Sequence, residues 1–426
     1  MIKFAHKGGD ANEASAASQA AEQHIAPVPR ISIQAFCDTQ ETAAVMQAVA
    51  ADRRMIKAHV KLQMGGVAAA SEAYRNAPTP NVIILEFDSR SEELLAGLDS
   101  LSQVCDAGTR VIVIGRVNDI QLYRELVRRM VSDYLIAPVT VVDMIASISR
   151  LFGGPDAKPV GRTLAVVGAK GGVGASTIAH NIAWAIARDI QLDSVVVDLD
   201  LPFGTAGLDY NQDPPQGIAD AVFSPERIDA SFVDRLLSKC TDHLSLLAAP
   251  ATLERVYDFD AEAFDSIFDV LRASVPCVVL DVPHVWTAWS RRVLVGADDI
   301  LVVAAPDLAN LRNVKNMLDL LKQARPNDRP AFYCLNGVGV PKRPEIKSAD
   351  FAKALDAEPA AVVPFDPQVF GTAANNGQMI AEVSSGHRAA ELFRQLAQVM
   401  TGRAEAKRGR NSLLTPIFDK LKRRQA

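Results

Sequence analysis

Between residues 166 and 177 the chain reads VVGAKGGVGAST. Gly171, Gly172 and Gly174 free the backbone to turn its N–H groups around an anion, and the hydroxyls of Ser176 and Thr177 follow. The pattern approaches a phosphate-binding loop, in which a lysine precedes the hydroxyl residue; here that position is Ala175. Another lysine, Lys170, stands ahead of the glycine pair. Residues Gly171, Gly172, Val173, Gly174, Ala175, Ser176 and Thr177 are therefore the candidate cradle for a phosphate group, and Ser176 is the candidate magnesium ligand within it. Further on, SVVVDLDL (194–201), CVVLDVP (277–283) and AFYCLNG (331–337) are apolar runs ending in polar residues: Asp198 and Asp200, Asp281, and Asn336.

These residues need a scaffold that brings strand ends together. TLAVVG (163–168) runs into the glycine loop and then into the apolar helix TIAHNIAWAIA, the strand–loop–helix order that phosphate binding requires. SVVVDLDL, LSLLAAP (244–250), CVVLDVP, DILVVAAP (299–306), AFYCLNG and AAVVPF (360–365) continue an alternation of short apolar strands with helices. Such alternation predicts an α/β fold, a doubly wound parallel sheet covered on both faces. Upstream, RISIQAF (30–36), NVIILEF (81–87), RVIVIG (110–115) and SDYLIAPV (132–139) form an earlier series of the same kind, with helices at TAAVMQAVAAD and VDMIASISRLFG. GGPDAKPVG (153–161) breaks any regular element and is the expected linker. The expected organisation is a disordered arm at 1–29, a flavodoxin-like domain at 30–152, the larger domain at 162–400 and a basic tail at 401–426.

Composition is that of an ordinary globular chain, and no apolar run is long enough to span a bilayer. The arm has no secretory signal pattern, so the expected location is cytoplasmic. Five scattered cysteines, without a paired motif, read as buried thiols rather than metal ligands or disulfides. The net charge of −5 conceals an asymmetry: residues 402–426 carry eight Lys or Arg against Glu405 and Asp419. The acidic remainder is a poor general nucleic-acid binder, and no specific nucleic acid is expected.

KGGVG with a leading lysine resembles the deviant phosphate loop of the ParA/MinD ATPases, which sandwich two ATP molecules in a dimer. The resemblance implies that Lys170 reaches the phosphates bound by a partner subunit. It implies that Asp200 lies by the attacking water and magnesium, that Asp281 holds magnesium through water, and that Asn336 recognises adenine from a strand end. The loop AAPD (304–307) matches one that borders the base. ATP and magnesium are the implied cofactors. Loss of the usual lysine removes one charge-assisted hydrogen bond, about 1.5–3 kcal/mol, so binding survives at cellular ATP concentrations while turnover suffers more.

The first domain resembles the receiver domain of two-component response regulators through IILEF and DYLIAP. Its reactive positions are altered: Cys37 and Asp38 stand for the acidic pair, Glu86 for the phosphoryl-accepting aspartate, Gly115 for the hydroxyl residue and Ala137 for the lysine before Pro138. The extra methylene of Glu86 displaces its carboxylate, so a docking or dimerisation module that takes no phosphate is expected; a generic flavodoxin-like domain is the other reading. A receiver-like domain ahead of an atypical ParA/MinD-like domain resembles the TadZ/CpaE family, which assembles Flp (tight adherence) pili. That implies a dimeric, ATP-binding scaffold with weak or absent hydrolysis, contacts with other pilus-assembly proteins and placement at the membrane's inner face or the cell pole. The alternative is a ParA/MinD-type ATPase that turns over and positions another cargo, such as a chromosome locus, a flagellum or a division site. An iron–sulfur reductase needs paired cysteines that the chain lacks.

In NSLLTPIFDKLKRR (411–424), Leu413, Leu414, Ile417, Phe418 and Leu421 fall within an arc of roughly 140° if helical, with Lys420, Lys422 and Arg423 outside it. Peripheral contact with anionic lipid, a partner groove and a solvated tail are all open readings. Trp286 and Trp289, just after Asp281, are either partner contacts or aromatics packing a helix on the sheet. His284 has no nucleophile or metal companion in sequence.

Overall fold

The computed structural model describes residues 25–87, 91–153, 160–253 and 255–403. The basic tail beyond 403, the arm before 25 and linker residues 154–159 lie outside them. Two compact units are present, one comprising the described residues before Gly161 with Ala324–Arg329, the other Gly161–Gln323 with the chain from Pro330.

The smaller unit is a five-stranded, wholly parallel sheet of β1 (Ser32–Cys37), β2 (His59–Met64), β3 (Val82–Glu86), β4 (Arg110–Gly115) and β5 (Asp133–Ile136) in the order β2-β1-β3-β4-β5. Helices α1 (Gln40–Ala51) and α5 (Val141–Phe152) cover one face through Met46, Val49, Ile145 and Ile148. α2 (Gly66–Ala73), α3 (Ser91–Ser102) and α4 (Ile120–Arg128) cover the other through Val67, Leu94, Leu98 and Leu126. Parallel strands buried on both faces must be apolar throughout, which is why β3 is legible as VIILE. β2, HVKLQM, is a strand that the apolar-run criterion passes over. It lies at the sheet edge with its residues exposed or half-buried, so Val60 and Leu62 alternate with polar residues.

The larger unit carries eight strands: β6 (Arg162–Gly168), β7 (Ser194–Asp198), β8 (Ser238–Lys239), β9 (Leu244–Leu247), β10 (Cys277–Val282), β11 (Asp299–Ala304), β12 (Phe332–Val338) and β13 (Ala361–Pro364), in the order β13-β12-β11-β6-β10-β7-β9-β8. All pairs are parallel except the short β8, which the sequence did not announce and which pairs antiparallel to β9. Counting only helices of eight residues or more, α6 (Ala175–Asp189) and α12 (Arg388–Met400) bury one face with Ile178, Ile182, Ile186, Phe393 and Leu396. α7 (Asp265–Ser274), α8 (Ala288–Gly296) and α9 (Leu308–Ala324) bury the other with Ile267, Leu271, Leu294 and Val314; α10 (Ser348–Leu355) and α11 (Pro367–Asn376) complete the set. The path from β6 through α6 reaches β7 by passing over β10, while β11, β12 and β13 extend the other way. The order reverses beside β6, and in open parallel sheets ligands bind at the carboxyl ends of strands at such a point.

Candidate functional site

The carboxyl end of β6 leads directly into the glycine loop. Gly172 and Gly174 adopt left-handed φ values of 78° and 80°, which L side chains adopt only at a cost. At Gly174 a side chain would also press on Asn336, whose Nδ2 would lie 2.6 Å from an added Cβ. α6 begins at Ala175 with no side chain capping it, so its first-turn N–H groups remain available to an anion. Gly171 and Gly172 border open space. Ala175 and Ser176 are half-buried, and Lys170 is exposed.

The base of the loop is anchored from three sides. Ala169, where the usual motif has its first glycine, is fully buried, and its N–H donates to Val303 at 2.8 Å. Asn313 Nδ2 donates to the Ala169 carbonyl at 2.8 Å, and His284 Nδ1 lies 2.8 Å from the Gly168 carbonyl, to which its N–H donates. His284 therefore ties down the loop. Asn336, expected at the adenine, donates from Nδ2 to the Val173 carbonyl at 2.8 Å. Asp307, in the loop expected beside the base, is held below the usual carboxylate range: burial works against ionisation, but Asn310 donates to it and the Lys170 ammonium favours the charge.

Beneath the loop, the register pairs Asp281 of β10 with Asp198 of β7. Partners in a parallel sheet project from the same face, so two carboxylates stand on neighbouring strands roughly 4.8 Å apart. Both are buried under α6. Burial and the Asp281 charge push Asp198 up to about 7, against N–H donors from Asp200 and Ala206, each 3.1 Å away. Asp200 sits past the end of β7, not within it, in a turn where its Oδ1 accepts from Phe203 N at 3.2 Å; burial raises it above the usual carboxylate range. The backbone of Gly204 closes over Asp198 so tightly that no Cβ fits there.

One residue of this site escaped the sequence reading. His180 of α6 is fully buried, with Nδ1 2.7 Å from Asp209 Oδ2 and Nε2 3.2 Å from Asp281 Oδ2. The Nε2 contact is an ion pair too poorly aligned to count as a hydrogen bond. Burial alone would lower the imidazole, but the two carboxylates prevail and raise it to about 10. The available signal was a lone histidine in an otherwise apolar helix, TIAHNIAWAIA.

Among the described residues no group of three His, Cys, Asp or Glu could hold a metal. A magnesium ion here would depend on Ser176, water-mediated Asp281 and a ligand's own oxygens, the usual manner for that ion. The uncapped helix end, the left-handed glycines and the crowded carboxylates fit such a pair of ligands. Trp289 is a core residue, its ring 5.1 Å from Phe264, whereas Trp286 is 53% exposed. Cys37, Cys277 and Cys334 are buried free thiols.

The smaller unit also ends a strand in a buried carboxylate, but a finished one. Glu86 accepts from the backbone N–H groups of Asp38 and Thr39, both at 2.8 Å, and from the hydroxyls of Thr39 and Thr42, both at 2.7 Å. Burial favours the neutral acid, yet these four donors hold it below the usual carboxylate range.

No family profile matches the chain. It is 28% identical over 162 residues to the septum site-determining protein MinD of Synechocystis sp., a match that covers 38% of this chain and 59% of that protein; the chain thus spans about half the length of the first curated relatives it matches. Among solved structures, a ParA family ATPase of Chlorobium tepidum covers 56% of this chain and 98% of its own, with TM-score 0.50 and 24% identity, a likeness of fold. A pilus assembly protein CpaE of Caulobacter crescentus is 47% identical, covering 30% of this chain and 98% of its own, with TM-score 0.29.

Proposed function

The chain belongs to the CpaE family of pilus assembly proteins, and from that premise we propose that it is an ATP-binding, dimer-forming scaffold for Flp pilus assembly, with weak or absent hydrolysis. The observation that carries this reading is the uncapped glycine loop and helix end above two crowded carboxylates, with a methyl group at Ala175 where a lysine would stand. Backbone N–H groups from 171–177 would cradle the phosphates, Ser176 and, through water, Asp281 would hold magnesium, and Asn336, which now donates to Val173, would be the residue to meet the base. Bound magnesium would supply positive charge at the phosphate oxygens. Lys170, exposed at the mouth of the loop, is free to reach a second protomer, which couples nucleotide to dimerisation. Without a lysine at 175, transition-state charge is poorly met and hydrolysis is slow. Family membership supports pilus-assembly partners and a site of action at the cytoplasmic side of the membrane or the pole. Among the described residues no helix is long and apolar enough to cross a membrane; contact with lipid would come from the tail.

Calorimetry of the purified chain with ATP and magnesium tests binding, and light scattering of wild type and Lys170→Ala with and without nucleotide tests coupling. No heat with any adenine nucleotide, or identical oligomeric states in every condition, overturns the proposal. A robust steady-state phosphate release abolished by Asp200→Ala would instead favour the turning-over ATPase.

A further inference from the structure

His180 lies five residues beyond Ala175 on the helix that starts at the loop, and its surroundings are more constrained than core packing requires. Its main-chain carbonyl accepts from Tyr210 Oη at 2.8 Å, and its ring centroid lies 5.5 Å from that of Tyr210. Nδ1 is fixed by Asp209 at 2.7 Å, which leaves Nε2, itself buried and without an aligned hydrogen-bond partner, directed at Asp281 Oδ2. Asp209 follows closely on the 200–206 turn that carries Asp200 and supplies Ala206 N–H to Asp198. Asp198 in turn is the register partner of Asp281. The contacts close a ring: Asp281, His180, Asp209, the 200–206 turn, Asp198 and back to Asp281.

From this ring we infer that His180 is a positioning residue for the magnesium carboxylate. It engages Oδ2 of Asp281, leaves the other oxygen for the ion's water shell, and couples that orientation to the turn bearing Asp200. The inference rests on the nucleotide-binding reading above. Groups that orient a metal-bound carboxylate are typically worth ten- to hundredfold in metal affinity.

Two isosteric substitutions separate positioning from packing. In His180→Gln the amide nitrogen takes the place of Nε2 and keeps the Asp281 contact. In His180→Asn it takes the place of Nδ1 and keeps only the Asp209 contact. ADP affinity is measured by calorimetry in EDTA and across a magnesium titration, using the full chain. Wild type and His180→Gln should need the same magnesium concentration to tighten ADP binding, His180→Asn roughly ten- to hundredfold more, with all three equal in EDTA. An equal shift in both variants, or none in either, overturns the assignment. Should both fail to fold, Asp209→Asn, whose side chain is 20% exposed, must raise the magnesium requirement several-fold; no change overturns the inference. Wild type that binds ADP in neither condition sinks the nucleotide reading and this inference with it. ADP binding in EDTA with an unshifted His180→Asn sinks the His180 assignment alone.

Discussion

Each unit ends a central parallel strand in a buried acid, and the two have been resolved in opposite ways. Glu86 at the end of β3 is met by four donors and sits below its ordinary range. Asp198 and Asp281, at the ends of β7 and β10, face each other across one register step, and Asp198 is pushed up to about 7. The donors in the smaller unit come from Asp38 and Thr39, just ahead of α1, and from Thr42 in its first turn; in the larger unit the corresponding helix end is left for something from outside. A strand-end carboxylate is thus a lock where the protein completes its hydrogen bonds and a socket where it does not.

The largest effect expected from breaking this contrast is in the lock. Glu86→Ala strands four donors and should cost about 4 kcal/mol, read as lost hydrogen-exchange protection of the β1 and β3 amides; an effect under about 1 kcal/mol would show the donors are satisfied without it. Next comes pH. The folded-state value of Asp198 lies above its ordinary one, so the stability it contributes is complete below the ordinary value and drains as pH rises through about 7. His180, raised to about 10, loses its contribution as pH climbs from its ordinary value through 10. Both slopes run the same way, so the ligand-free larger unit should lose stability continuously as pH rises from 5 to 9 in urea titrations followed by tryptophan fluorescence, all three tryptophans lying in that unit. Glu86 has the opposite sign: its contribution is complete above the ordinary carboxylate value and lost as pH falls below it. Parallel pH profiles for the two units would erase the distinction. A smaller effect is expected for Thr42→Val, which removes one of the four donors at a cost of about 1 kcal/mol by the same exchange measurement. Smallest is Asn336→Ala, which releases the Val173 carbonyl and should lower the ligand-free melting temperature by a few degrees, about 1 kcal/mol or less.

Much of this was legible in the chain. Buried parallel strands must be apolar on both faces, so VIILE, SVVVD and CVVLDV declare themselves, while the edge strand HVKLQM and the two-residue β8 do not. The glycines of the loop are likewise visible, since few residues tolerate their dihedrals. Glu86 could be read as a poor phosphoryl acceptor, but not as the anchor of the turn into α1, because Thr39 and Thr42 lie more than forty residues away. His180 was the larger omission: its partners follow 29 and 101 positions later, with nothing local to link them.

By itself the sequence determined the alternation of strand and helix, the glycine loop and the methyl group at position 175, because each is written in residues that are neighbours along the chain. Only the tertiary structure decided that Asp198 stands beside Asp281 and that His180 bridges to Asp209. Pairing register in a parallel sheet is set by how entire strands and their covering helices pack, and no single segment carries that information.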